Sequence, residues 1–275
     1  MSEHLPIATL LTVVVTVAVS LYAFKDDSFR EKLIFEPRAI LAFKEYHRLI
    51  SPALLHLDAN HLIGNMLTLF LFGRWIEMFF SVGMFMGIYL GGIVGGNLLA
   101  LWLHRHHEYR ALGASGGVCG ILFAWILLFP GGTINLFFAI PIPGWIYAIC
   151  YLTYSFFAMK HGWTNVGHDA HIGGAMIGLL LAALLVPHAV MASPWLFAGL
   201  LTLGGMIFFY LWKNPLMLPL KNFTFGIQIE TPPKRSPNAR PSASEVDAIL
   251  EKVSRKGLSS LTPKERSILE SAAKK

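Results

Sequence analysis

The chain has 275 residues, of which 55% are hydrophobic and only 14% are charged. A soluble domain carries about 25% charged residues, so this composition excludes an ordinary soluble enzyme. The formal net charge of +6 arises entirely after residue 212, because residues 213–275 contain 12 Lys and Arg against 6 Asp and Glu.

Apolar residues are grouped into seven long runs. Most of them approach the ~20 residues that an α-helix needs to cross ~30 Å of hydrocarbon. The sequence therefore predicts an all-α, polytopic membrane helix bundle, whose first run is a retained span rather than a cleaved signal peptide. The predicted spans are 5–24, 60–80, 82–103, 114–130, 134–157, 171–187 and 194–212.

Hydrophilic segments separate and follow these runs. Residues 25–58 mix charged and apolar side chains, and we expect them to rest on the membrane surface. Residues 213–243 are predicted to be a linker. Residues 244–275 are predicted to form a small soluble helical hairpin, because TPKE at 262–265 has the form of a capping box. The alternative for this segment is a partly disordered tail. The positive charge of this tail favours anionic lipid over nucleic acid as its neighbour.

A few polar residues fall inside the runs, where contact with lipid is costly. His61 and Asn65 share one helical face near the start of the second span, and His56 precedes them. Ser115 opens the fourth span and His171 opens the sixth. Because spans two, four and six all start on the same side of the membrane, these side chains can meet at one depth.

This set of residue types is typical of nucleophilic catalysis. A serine within hydrogen-bond reach of a histidine is the minimal pair of nucleophile and base. An imidazole, a carboxamide and the N-terminal end of a helix can supply an oxyanion hole. Taken singly, Ser115 among glycines is typical of helix packing, and His61 and Asn65 could bond between helices. Their joint placement favours catalysis.

The same residues resemble the motifs of the rhomboid intramembrane serine proteases, over a core of about 34–187. The order and approximate spacing of the motifs agree with that family. They are the Gly-x-Ser-Gly of Gly113, Ser115 and Gly116, the His-x-x-Gly-x-x-x-Gly of His171, Gly174 and Gly178, the set His56, His61 and Asn65, the loop arginine Arg48, and the Gly-x-x-x-Glu of Gly73 and Glu77.

The resemblance implies a six-helix core. The seventh apolar run lies outside that common core, and with it the predicted protease domain covers residues 1–212. It implies that Ser115 is the nucleophile, that His171 is the general base, and that His61 and Asn65 stabilise the oxyanion. His56 and the motif glycines would support the site. No metal or cofactor is expected.

The resemblance also bears on partners and location. It implies an intramembrane endopeptidase whose substrates are single-span or polytopic membrane proteins, cleaved in or near a transmembrane segment. We expect a multi-pass protein of a bacterial inner membrane, in contact with the lipid bilayer and not with nucleic acid. The alternative is a catalytically silent rhomboid-like protein that binds or delivers membrane clients.

Three further residues or groups qualify this interpretation. Cys119 stands four residues after Ser115, where the family often has an aromatic residue that packs against the base. Asp169 lies two residues before His171 and is expected to cap the sixth helix rather than to complete a triad. The histidines of HRHHE at 104–108 are not expected to hold a metal.

Overall fold

The structure, a computed structural model, describes residues 5–106, 108–136, 139–162, 166–214 and 223–224, with the single positions 253 and 262. This part of the chain is mainly helical, and two 3-10 turns at Tyr46–Leu49 and Ser51–Leu54 precede the second long helix. The helices are α1 (Ile7–Ala23), α2 (Asp27–Leu33), α3 (Pro37–Phe43), α4 (Ala59–Phe79), α5 (Val82–His104), α6 (Ser115–Leu128), α7 (Gly144–His161), α8 (His168–Leu185), α9 (Pro187–Ala192) and α10 (Pro194–Lys213). The strands are β1 (Tyr109–Arg110), β2 (Thr133–Leu136), β3 (Ile140–Pro143) and β4 (Phe223–Thr224).

Each of the seven predicted spans overlaps one of the longer helices, which are α1, α4, α5, α6, α7, α8 and α10. By length and composition, α4, α5, α8 and α10 are able to cross a membrane. Helices α1 and α6 are apolar but shorter, with 17 and 14 residues. The fold is therefore a helical membrane bundle, as the composition predicts.

The fifth span was predicted with the wrong start. Residues 134–157 were expected to be one helix, but β2 and β3 form an antiparallel pair, and α7 begins only at Gly144. The physical reason is Pro141 and Pro143, which lack an N–H group and restrict the residues before them to extended conformations. Hydropathy does not register this effect, because the hairpin is also apolar.

Helices α5, α6 and α8 pack through glycine. A Cβ atom added at Gly174 would overlap the backbone of Gly116, and one added at Gly178 would overlap the backbone of Gly120. A Cβ at Gly92 would lie 3.0 Å from the carbonyl oxygen of Gly116. Small residues thus allow three helix backbones to touch, which is how membrane helices pack most closely.

The segment between α1 and α4 is held by Arg48. Its Nη1 donates to the carbonyl oxygens of Glu31 at 2.9 Å and Ile34 at 2.6 Å. Phe35 and Ala111 exchange backbone hydrogen bonds of 2.9 and 3.2 Å, which fasten this segment to the chain preceding α6. Large apolar side chains nevertheless remain exposed, as expected of a segment on a membrane surface: Leu41, Phe43, Tyr46 and Ile50.

Glu77 joins α4 to α1. Its carboxylate accepts the N–H groups of Ala8 at 2.8 Å and Thr9 at 2.7 Å, and the Thr9 hydroxyl at 2.7 Å. The N-cap of α1 is Pro6, which forms no side-chain cap bond. Glu77 therefore satisfies N–H groups that this helix leaves unpaired, and it places a negative charge at the positive end of the helix dipole.

Most of the predicted linker at 213–243 and of the predicted hairpin at 244–275 lies outside the described residues. Strand β4 is described, and it pairs in parallel with β1, Tyr109 opposite Phe223 and Arg110 opposite Thr224. After α10 the chain therefore returns to the end of the bundle at which α6 begins.

Candidate active site

A cavity of about 290 Å³ lies at the N-terminal ends of α6 and α8. The segments before α4, α6 and α8, together with the first turns of these helices, form most of its wall. Five predicted site residues line it together: His61, Gly113, Ser115, Gly116 and His171. The structure thus brings residues from three separate parts of the sequence to one cavity.

Ser115 is the first residue of α6 and is half-buried. The first helical hydrogen bond of α6 runs from the N–H of Val118 to the carbonyl of Ala114, at 3.0 Å. The N–H groups of Ser115 and the two glycines after it precede that bond. Partial positive charge from the helix dipole therefore accumulates beside the serine hydroxyl.

Gly113 separates Ser115 from His61. Its φ of 129° lies in a region that side-chain-bearing residues rarely adopt. A Cβ atom at this position would lie 2.9 Å from Cε1 and 3.2 Å from Nε2 of His61, and 3.6 Å from Oγ of Ser115. Both the backbone conformation and the close approach of the imidazole require glycine here.

The orientation of the His61 ring determines which nitrogen can donate. Its Nδ1 accepts the backbone N–H of Leu57 at 3.5 Å. The neutral imidazole then carries its proton on Nε2, the nitrogen that lies beside Gly113. His61 therefore presents an N–H donor toward the cavity it lines.

Asn65 does not line the cavity along with His61. It is buried, and its Nδ2 donates to the carbonyl oxygen of His61 at 2.9 Å, within the same helix. An asparagine amide has two N–H donors, so one remains after this bond. The structure places Asn65 one helical turn behind the cavity wall.

His56 is buried behind the cavity and bonds in two directions. Its Nε2 accepts the N–H of Ala114 at 3.5 Å, and its Nδ1 lies 3.0 Å from the hydroxyl of Ser20, which donates to the carbonyl of Leu54 at 2.8 Å. This arrangement requires a neutral ring with its proton on Nδ1. Burial and the neighbouring His61 lower the pKa of His56 to about 3. His56 thus links α1 to the residue before Ser115.

His171 lies in the first turn of α8 and is buried except for 9% of its surface. Its Nδ1 lies 3.0 Å from the hydroxyl oxygen of Tyr151 in α7, and that oxygen lies 3.1 Å from Sγ of Cys119. The rings of Tyr151 and His171 stack with centroids 6.3 Å apart. Sequence reasoning missed Tyr151, although an unusual residue at position 119 was a signal that support for the histidine comes from elsewhere.

Asp169 was wrongly predicted to be the cap of its helix, because the N-cap of α8 is Gly167. Its buried carboxylate lies 2.8 Å from Nε2 of His104 and accepts the hydroxyl of Tyr109 at 3.2 Å. Burial and this carboxylate raise the pKa of Tyr109 well above its usual value. Asp169 therefore ties the start of α8 to the end of α5 and to β1, and its described bonds do not include His171.

The histidines at 104–108 do not form a described metal site. Of these, His107 lies outside the described residues, and His104 bonds to Asp169. Within the part of the chain that the structure describes, no group of three or more His, Cys, Asp or Glu residues is placed to hold a metal ion.

Comparison with known families agrees with this architecture. The sequence model of the Rhomboid domain matches residues 44–188, more than half of the chain. The chain is a member of the rhomboid family. A second model, of a family of unknown function designated DUF6576, matches residues 240–275.

Three named relatives show how far the similarity extends. RHOMBOID-like protein 12, mitochondrial, of Arabidopsis thaliana is 31% identical over 153 residues, 49% of this chain and 45% of that protein. Rhomboid protein 1, mitochondrial, of Saccharomyces cerevisiae is 30% identical over 138 residues, 48% of this chain and 40% of that protein. Rhomboid protease GluP of Bacillus subtilis is 31% identical over 148 residues, 54% of this chain and 27% of that protein. The matched region spans less than half the length of each of them.

Family and helices together establish an integral membrane protein. The narrower expectation of a bacterial inner membrane is not supported, because two of these rhomboid relatives are named as mitochondrial.

Proposed function

We propose that this rhomboid family member is an intramembrane serine endopeptidase, with Ser115 as nucleophile and His171 as general base. The observation that carries the proposal is the shared cavity, which Ser115 and His171 line from the first turns of two helices in backbone contact. The relative named Rhomboid protease GluP supports the same class of activity.

We propose a role for each side chain from its place in the cavity wall. His171 contacts Tyr151 through Nδ1, which leaves Nε2 to take the proton as Ser115 Oγ attacks a peptide carbonyl. The N–H groups at the start of α6 and the Nε2–H of His61 donate to the oxyanion that forms. His171 then protonates the leaving amine, and water releases the acyl group with His171 again as base.

The position of the cavity supports membrane proteins as the proposed substrates. It lies at the ends of membrane helices, so a membrane protein can present a segment there without leaving the bilayer. The carbonyls of a helix are bonded within the helix, so the segment must unwind locally before Ser115 reaches one. We propose single-span or polytopic membrane proteins as substrates, with no cofactor and no nucleic acid.

Two assays test this proposal. One is labelling by a serine-directed fluorophosphonate probe, and the other is cleavage of a co-expressed single-span protein. Wild-type protein is expected to be labelled at Ser115 and to cleave the single-span protein. The variants Ser115→Ala and His171→Ala are expected to be as abundant as wild type but to show neither labelling nor cleavage. Ser193→Ala is the matched control, because Ser193 precedes α10 and makes no side-chain cap bond. Cleavage by Ser115→Ala equal to wild type overturns the assignment. An unlabelled, inactive wild-type protein that still co-purifies with membrane clients indicates the catalytically silent alternative.

We also propose that residues 1–212 form the protease domain, that 213–243 link it to the tail, and that 244–275 form a separate helical module. A match of 240–275 to a family distinct from the rhomboid domain supports this division. A chain ended after residue 227, which keeps strand β4 beside β1, should still be labelled at Ser115. Loss of labelling with full-length abundance would contradict the division.

A further inference from the structure

We propose that Tyr151, acting with Cys119, sets the tautomer of His171 and is a positioning residue for the general base. This inference rests on the proposed role of His171. Residue 119 is where the resemblance led us to expect an aromatic support, and the structure places the aromatic ring on α7 instead.

Three side chains from three helices form a continuous line of contacts. His171 Nδ1 lies 3.0 Å from the Tyr151 hydroxyl oxygen, which lies 3.1 Å from Cys119 Sγ. Tyr147 stacks on the ring of Tyr151 at 5.7 Å, and Phe123 packs against it at 6.1 Å. These neighbours fix the Tyr151 ring, so its hydroxyl has a defined position beside the imidazole.

The hydrogen bond between His171 Nδ1 and the Tyr151 hydroxyl can have its proton donated from either side. If Tyr151 donates to Nδ1, the proton of the neutral imidazole is on Nε2, and His171 cannot accept the serine proton. If Nδ1–H donates to Tyr151, Nε2 carries the free lone pair that a general base needs. The Tyr151 hydroxyl hydrogen then points to Cys119 Sγ, a weak acceptor.

Only the second arrangement, in which Nδ1–H donates to Tyr151, allows His171 to act as the base. When the proton of Ser115 reaches Nε2, both nitrogens of His171 carry hydrogen, and Nδ1–H needs an acceptor. The described contacts of Nδ1 offer the Tyr151 oxygen, which can accept only if its own hydrogen points elsewhere. Cys119 Sγ, 3.1 Å from the same oxygen, supplies one such direction, and the buried hydroxyl of Ser155 on α7 also interacts with Tyr151. The proton moves from Oγ to Nε2, and Tyr151 stays protonated throughout.

The size of Cys119 is part of the arrangement. Cys119 is 5% exposed and follows Ser115 by one turn of α6. A ring attached at this position would compete with Tyr151 for the space beside the imidazole. A small residue on α6 and a tyrosine on α7 therefore act as a matched pair, in which Tyr151 provides both the stacked ring and the hydrogen-bond acceptor.

Steady-state cleavage by three variants tests the inference. Tyr151→Phe keeps the ring and removes the oxygen, so kcat is expected to fall about 10- to 100-fold while KM stays within about twofold, as for an interaction formed in the transition state. Cys119→Ala is expected to give a smaller loss of kcat, and Cys119→Ser to restore most of it, because a hydroxyl is a better acceptor than a thiol. Tyr154→Phe is the matched control, since Tyr154 is an exposed tyrosine on the same helix.

The outcomes separate this inference from the proposed function. A Tyr151→Phe variant as fast as wild type overturns the inference, while Ser115-dependent cleavage by wild type leaves the function standing. Absence of Ser115-dependent cleavage in wild type overturns both. Imidazole ¹⁵N spectra of histidine-labelled protein, assigned with His171→Gln, provide a second measurement. They are expected to show the Nδ1–H tautomer, and a resting Nε2–H tautomer contradicts the inference.

Discussion

Helices α6 and α10 are both apolar, yet they lie in opposite surroundings. Every residue of α6 from Gly116 to Leu127 is buried, whereas α10 buries only Leu200, Gly204, Ile207 and Leu211. Lipid and a protein interior are both apolar, so hydropathy does not separate the two helices. The two helices differ in close backbone contact. Helix α6 makes such contact with α5 and α8, beginning at Gly116, the residue after Ser115.

The largest difference between the two regions is expected in activity. His61→Ala removes the N–H donor on the cavity wall beside α6, and it should lower kcat about 10²–10³-fold with little change in KM. His188→Ala changes an exposed histidine in the short helix before α10 and should leave kcat unchanged. Cleavage of a purified substrate in detergent measures both. Equal rates for His61→Ala and wild type would remove His61 from the oxyanion hole.

The free energy of unfolding provides a second comparison, when one methyl group is added against α6 and another is added on α10. Gly178→Ala places a Cβ against the backbone of Gly120 in α6, and we expect a loss of up to about 3 kcal/mol from overpacking. Gly205→Ala in α10 meets no atom within 4 Å, and it should leave stability unchanged or slightly raised by better helix propensity. Unfolding in mixed micelles with increasing SDS compares the two. Similar losses in both variants would show that α6 is no more tightly enclosed than α10.

The smallest expected effect is on the pH dependence of stability, through His56 in the segment that supports α6. His56 is neutral when folded, with its pKa lowered to about 3, but titrates near 6.5 when unfolded. Between pH 3 and pH 6.5 the unfolded chain therefore binds more protons than the folded one. The contribution of neutral His56 to the free energy of unfolding is complete above pH 6.5 and is lost as pH falls toward 3. At pH 5 the loss should be about 2 kcal/mol. His56→Gln should remove that part of the pH dependence, measured as the thermal midpoint at pH 7 and pH 5. Unchanged pH dependence in the variant would contradict a buried, neutral His56.

The errors of sequence interpretation have physical causes. The fifth span was misplaced because a hairpin with two prolines is as apolar as a helix. Asp169 was assigned to a local cap because its partners, His104 and Tyr109, are 65 and 60 residues away. Tyr151 was missed because the rotation of α7, which turns this hydroxyl toward His171, depends on packing between helices.

By itself, the sequence determined the helical membrane class, because only a backbone that bonds within itself can cross hydrocarbon as a single segment. It also determined which residues could meet, since counting crossings puts Ser115, His171 and His61 at one end of the bundle. Only the tertiary structure decided which of them line the cavity, which nitrogen of each imidazole faces it, and which residue supports the base. Those features depend on distances of a few ångströms between helices, and these distances arise from glycine contacts that α5, α6 and α8 make only when they are packed together.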